Sequence, residues 1–169
     1  MVHFVITGGT IDSFYNPIKD SVDPSDKSVI PEFVETLKLY CSTHFSVVCL
    51  KDSRTLTRDY LNDVLRVIEE SSATKIIVTH GTYTMPDTAR FLKAQLTRRD
   101  QAIILTGSMI PLKGFAPSDA PFNLGYALAK VQDIDPGVYL CMNGAVFSPD
   151  EVAKMISEGR FVSLSLATS

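Results

Sequence analysis

Four short segments carry the residue types that chemistry at a carbonyl needs: Thr7-Gly8-Gly9-Thr10, Lys51-Asp52-Ser53-Arg54-Thr55, Thr79-His80-Gly81-Thr82-Tyr83-Thr84 and Thr106-Gly107-Ser108-Met109. Each brings Thr or Ser directly behind an apolar run. Glycine beside a hydroxyl leaves backbone N–H groups open to a close ligand, and such donors stabilise the oxyanion formed when a carbonyl is attacked. A threonine hydroxyl in that setting is a nucleophile, weak until a base takes its proton. The combination points to acyl transfer. It does not point to nucleotides, since Thr7-Gly8-Gly9-Thr10 is not G-x-G-x-x-G and no G-x-x-x-x-G-K-[S/T] segment occurs. No Cys/His spacing suggests zinc, and acyl transfer by this route needs neither metal nor organic cofactor.

The elements that must hold these segments are short. Residues 2–6, 45–50, 75–79, 102–106 and 138–142 are continuous apolar runs rich in Val and Ile. Runs without polar alternation read as strands buried on both faces, as in parallel sheets. Between them lie helix patterns at 31–42, 57–72, 85–96 and 119–133, and a last one at 148–161 that Gly159 should end. Pro31 suits a first helical turn, and Thr57 can cap the second helix. The alternation implies an α/β fold, a doubly wound parallel sheet with helices on both faces in a flavodoxin-like order. Crossovers should be right-handed. Ligands of such sheets bind beyond the carboxyl ends of the strands, where all four segments fall. The polar stretch 12–30 has no clear apolar period and reads as a lid or binding loop.

The chain has 169 residues, 45% of them hydrophobic and 21% charged, with a formal net charge of −3. That length suits one domain, 1–169, with a single well-buried core. Mild acidity argues against a nucleic-acid surface. No 18-residue apolar run implies a membrane span, and no secretory leader is visible, so a cytoplasmic location is expected. Cys41, Cys49 and Cys141 read as reduced thiols packed as small hydrophobes. His3 and His44 read as scaffold. Phe115, Phe122 and Tyr126 read as core or subunit contact.

At this point the chain resembles a known family. Residues 7–12 (TGGTID) and 79–85 (THGTYTM) are similar to the two signature segments of bacterial-type L-asparaginases. Residues 104–111 (ILTGSMIP), 118–128 (SDAPFNLGYAL) and 142–147 (MNGAVF) resemble further stretches in the same order. Full-length members carry a second, C-terminal domain, so the chain looks like a short, single-domain form. The resemblance implies an amidohydrolase that converts a side-chain amide of asparagine, or a related small amide, to a carboxylate and ammonia. It implies Thr10 as nucleophile, Thr82 as second catalytic threonine, Tyr15 as a lid tyrosine, and Ser53 as anchor of the substrate α-carboxylate. Gly9 and Gly81 fall where backbone amides face the ligand. A homodimer or higher symmetric oligomer is expected, with a small molecule as the other partner.

Three positions depart from the family pattern. Tyr83 stands where the second motif carries Asp, Arg54 follows Ser53 where Gln is usual, and Gln101 opens the strand expected to carry the catalytic lysine. Tyr83 should weaken binding of a free α-ammonium, and Arg54 should welcome a carboxylate or phosphate through its fork. Lys154, on the last helix pattern, is a substitute for the missing lysine if that helix packs over the strand ends; otherwise it is a solvated helix lysine. Asp12 and His80 are alternative bases. Two other readings stay open: an enzyme shifted towards a more anionic substrate, and a non-catalytic binder of a small acidic metabolite.

Overall fold

The apolar runs become the strands of one sheet. The computed structural model describes residues 1–164. In chain order the elements are β1 (Val2–Gly8), β2 (Ser13–Asn16), β3 (Ser21–Pro24), α1 (Ile30–Thr36), β4 (Thr43–Lys51), α2 (Arg58–Glu70), β5 (Lys75–Thr79), α3 (Met85–Gln95), β6 (Ala102–Thr106), α4 (Ala120–Asp133), β7 (Gly137–Met142), β8 (Ala145–Phe147), β9 (Val152–Met155) and β10 (Arg160–Ser163). The central sheet runs β4-β1-β5-β6-β7-β8. Its first five strands are parallel and β8 returns antiparallel to β7. The winding reverses at β1, which puts the crevice of this doubly wound sheet between the ends of β1 and β5.

Alternate residues of each strand face opposite cores. Val5, Ile76, Val78, Ile103 and Leu105 pack with Val64 and Ile68 of α2 and Met85, Ala89 and Leu92 of α3. Phe4, Ile6, Ile77 and Ile104 pack on the other face with Ile30 and Val34 of α1 and Leu124, Ala127 and Val131 of α4. This two-faced burial is why the strands carry no polar alternation.

Local structure departs from the sequence expectation in four places. The stretch 12–30 is not an irregular loop, because β2 and β3 pair antiparallel within it. Polar cross-links hold that hairpin: the Asn16 amide donates to Asp23 at 2.9 Å, the Ser21 hydroxyl donates to Asp23 at 3.0 Å, and Lys19 pairs with Asp23 at 2.9 Å. Hydrophobic periodicity does not register such a strand pair. The pattern at 148–161 is not a helix but the β9–β10 hairpin, with one 3-10 turn before β9 and another joining its two strands. Val152 and Phe161 join the α2/α3 core from opposite strands, while Ile156 stays 72% exposed. A helix there would bury no continuous stripe. Gly159 does take the left-handed conformation, with φ 61°, but it turns a hairpin. Helix α1 stops at Thr36, and Lys38 follows with φ 50°. Thr57 sits at the cap of α2 without a side-chain cap bond. No helix among the described residues is long and apolar enough to cross a membrane.

Candidate active site

Three loops meet in backbone contact at the β1/β5 crevice. Gly9 has φ 83° and ψ −173°, a region essentially reserved for glycine. A Cβ there would lie 2.4 Å from Gly81 Cα, and one on Gly81 would lie 2.7 Å from Ser53 Cβ. The three segments close on one another only because two of them lack side chains. Hydrogen bonds then lock them. Gly9 N–H donates to Lys51 O at 2.9 Å, the Thr7 hydroxyl donates to Thr79 O at 2.9 Å, and the Thr84 hydroxyl donates to Ser53 O at 3.0 Å.

A cavity of about 430 Å³ opens above this contact, lined among others by Gly9, Thr10, Ser53, Arg54, Gly81, Thr82, Tyr83 and Lys154. Eight residues singled out from sequence therefore share one wall. Tyr15 does not join them. Its exposed hydroxyl donates to Asp20 Oδ1 at 2.5 Å, although Tyr15 shares a face of the β2–β3 hairpin with its register partner Val22. Ser13, Val22 and Pro24 of that hairpin face the cavity instead.

Lys154 Nζ donates to Thr82 Oγ1 at 2.7 Å. The lysine arrives on β9, not on a helix, and burial together with the nearby Arg54 charge lowers its pKa from 10.5. Gln101 is no counterpart of a site lysine. It precedes β6 at the end opposite the cavity, where its amide donates to Ile68 O at 2.9 Å and Ala73 O at 3.1 Å. The strand-start alignment was one sheet end away from the chemistry.

Arg54 is not a free anion receptor either. Its Nε and Nη2 clasp Asp52 at 3.0 and 2.6 Å, and its guanidinium lies 5.6 Å from the Tyr83 ring centre. That clasp holds the Asp52 carboxyl below the usual carboxylate range.

The two alternative bases serve the scaffold. His80 is fully buried, with Nδ1 2.8 Å from Gly81 O and Nε2 3.0 Å from the Thr88 hydroxyl. Desolvation lowers its pKa to about 4, so the ring is neutral and orders the loop that presents Thr82. Asp12 Oδ1 accepts the Val29 N–H at 2.7 Å, away from the cavity lining, and burial raises its pKa. At the far end of the sheet His3 bridges Ser71 and Ser46 at 2.8 and 2.9 Å, with the His44 ring 4.6 Å away, as scaffold histidines would. The three cysteines are free; Cys141 is buried and its thiol is pushed up to about 12. None of them lines the cavity. Phe122 is 59% exposed and stacks on Tyr126, so neither is a substrate wall. No group of His, Cys, Asp and Glu among the described residues could hold a metal ion.

A polar relay anchored on the buried Asn123, absent from the sequence reading, hangs the lysine hairpin on the sheet. Phe161, opposite Lys154 in the β9–β10 register, donates its N–H to Asn143 Oδ1 at 2.9 Å. Asn143 N–H donates to Asn123 Oδ1 at 3.3 Å, and the Asn123 amide donates to Gly107 O at 3.0 Å and Asp119 Oδ2 at 3.0 Å. Asp119 in turn accepts the N–H of Met109, a cavity residue, at 2.9 Å. The signal was available: Asn123 occupies a core position of α4 otherwise filled by Ala120, Leu124, Ala127 and Val131.

Comparison with known proteins gives the family of the chain. The family described as "Asparaginase, N-terminal" matches residues 1–163. The chain is 30% identical to the glutaminase-asparaginase of Acinetobacter glutaminasificans, over 92% of this chain and 50% of that protein. The L-asparaginase of Thermococcus kodakarensis superposes with a TM-score of 0.81 and 26% identity, covering 96% of this chain and 51% of that one. A probable cytoplasmic L-asparaginase from Campylobacter jejuni shares the fold, with a TM-score of 0.80 at 24% identity, 96% of this chain and 52% of that one. The chain thus spans about half the length of these relatives. Its match runs from the β1 turn that carries Thr10 to the hairpin that carries Lys154, and on that match the chain belongs to the asparaginase family, in the region of its N-terminal domain.

Proposed function

We propose that this chain hydrolyses the carboxamide of a small molecule to a carboxylate and ammonia. One observation carries the reading: Thr82 and Lys154 are in direct contact at 2.7 Å inside a cavity that Thr10 also lines. Thr10 Oγ attacks the amide carbon, the C–N bond breaks, and ammonia leaves with the threonine proton. Water, deprotonated through the Thr82–Lys154 pair, then attacks the acyl ester and restores the Thr10 hydroxyl. Backbone N–H groups at the Gly9–Gly81 contact are suited to the developing oxyanion. Tyr15 has no part in this scheme while Asp20 holds its hydroxyl.

Similarity to proteins named glutaminase-asparaginase and L-asparaginase supports asparagine or glutamine as the parent structure of the amide. No cofactor enters the scheme. A cytoplasmic setting suits its free thiols, and a symmetric homo-oligomer suits the exposed Phe122 on α4.

The same contact favours a second assignment, with Thr82 as the nucleophile because the lysine touches it. Ammonia release by the wild type, compared with Thr10→Ala and Thr82→Ala, tests the activity. Mass spectrometry of the quenched acyl-enzyme locates the ester and decides between the two threonines. Thermal stabilisation by ligand without ammonia release would leave a binding module.

A further inference from the structure

We propose that the cavity selects ω-carboxamides of dicarboxylic acids that carry no free α-ammonium, such as succinamate or an N-acylated asparagine. This rests on the amidohydrolase reading and narrows its substrate. Among the described residues, the charged side chains that line the cavity are Asp52, Arg54 and Lys154. The single carboxylate is already occupied: Asp52 accepts the Arg54 backbone N–H at 2.9 Å as well as both arms of its guanidinium, at 3.0 and 2.6 Å. Among these lining residues an α-ammonium would find no open carboxylate, and would face Lys154 and Arg54 across the same space. A buried cation without a carboxylate partner is costly. A carboxylate meets the reverse situation: Lys154 is the lining cation that lies outside the Arg54–Asp52 pair, and the Ser53 hydroxyl is on the wall.

Shape agrees with charge. The cavity, about 430 Å³, lies in the range that encloses ligands larger than a free amino acid. Its rim carries Tyr83, 57% exposed, with the Arg54 guanidinium over the ring. That flat pair suits a planar acyl-amide group on the α-nitrogen, and the ring face that would attract an ammonium is already taken by the Arg54 guanidinium.

The experiment measures ammonia release from asparagine, N-acetylasparagine and succinamate, with thermal unfolding in N-acetylaspartate, succinate and aspartate alongside. We expect kcat/KM for the two ammonium-free amides to exceed that for asparagine at least tenfold, the discrimination expected of one charge-assisted hydrogen bond. Tyr83→Asp, which adds a carboxylate at the rim, and Arg54→Gln, which releases Asp52, should each narrow that ratio. Equal or better use of asparagine by the wild type overturns the inference, whether or not either variant folds. If no amide is hydrolysed, the amidohydrolase reading fails and binding decides separately. Stabilisation by N-acetylaspartate and succinate but not by aspartate then supports the selectivity. Stabilisation by aspartate to the same extent, or by none of the three, overturns it.

Discussion

Replacing Lys154 by Met removes the one amine in contact with a site hydroxyl and keeps most of the side chain's length. The contact is direct at 2.7 Å, so no bridging water carries the proton in the lysine's place. A positioned acid–base group contributes roughly 100- to 10,000-fold, which is about 2.7–5.4 kcal/mol of barrier at 1.36 kcal/mol per tenfold. We expect kcat to fall by that amount, and KM to rise as well, because the same substitution takes a cation out of the cavity that holds the substrate carboxylate. Stability should move the other way or not at all. The Lys154 pKa is lowered in the fold, chiefly by desolvation and then by Arg54. The unfolded chain therefore binds the proton more tightly, and the native state gains stability as pH rises from the folded pKa towards 10.5. Removing the amine removes that handicap. In the wild type, turnover should rise with pH as the amine loses its proton. Lys154→Arg, which stays charged throughout, should lose that rising limb. Steady-state ammonia assays from pH 6 to 10 and a melting curve read all of this. A Lys154→Met variant with kcat within threefold of the wild type would refute the assignment of Lys154 as the proton-moving group.

Other perturbations have equally specific outcomes. Gly9→Ala puts a Cβ 2.4 Å from Gly81 Cα on a backbone that only glycine favours. It should lose turnover and at least about 1–3 kcal/mol of stability, and unchanged urea unfolding would contradict the close packing of the loops. Asn123→Leu breaks the relay beneath the lysine hairpin. It should cost about 1–3 kcal/mol in urea melts, from stranded buried partners, and should lower kcat more than KM. An equal loss confined to KM would detach the relay from Lys154. His3 and His80 are both held neutral by burial, with pKa values lowered from 6.5 to about 4, and His44 adds repulsion at His3. Unfolding exposes rings that protonate below 6.5, so stability should fall between about pH 6.5 and 4. The slope should approach two protons, about 2.7 kcal/mol per pH unit. His80→Gln should roughly halve it, and a flat profile would show that neither ring is desolvated.

The sheet and four of its helices were legible because apolar runs and 3–4 spacing report burial directly, as in Val64, Ile68, Ala89 and Leu92. The placement of Thr10, Ser53 and Thr82 at one cavity followed from strand polarity alone. The two hairpins were not legible by that logic. Lys154 sits on one of them, and its residues satisfy the capped-helix pattern locally while burying only Val152 and Phe161. The turn into β8 was readable and passed over. Asn143 and Gly144 have φ 55° and 74°, the two successive left-handed residues of a tight hairpin that Asn-Gly announces. The Arg54–Asp52 clasp is a matter of rotamers two residues apart, and no sequence pattern distinguishes it from an Arg that points at a ligand. Gln101 misled because its position relative to a strand was read without asking which end of the strand faces the crevice.

The relay from Asn123 to Phe161 has a temporal consequence. Lys154 follows Thr82 by 72 residues, so at a synthesis rate of roughly 5–20 residues per second a nascent chain waits about 4–14 s between the hydroxyl and its amine. On the proposed mechanism, the hydroxyl pair stands without its proton acceptor during that interval. The amine reaches the hydroxyl only once the β9–β10 hairpin is captured by that relay, so the two groups meet only after both stretches of chain have been made.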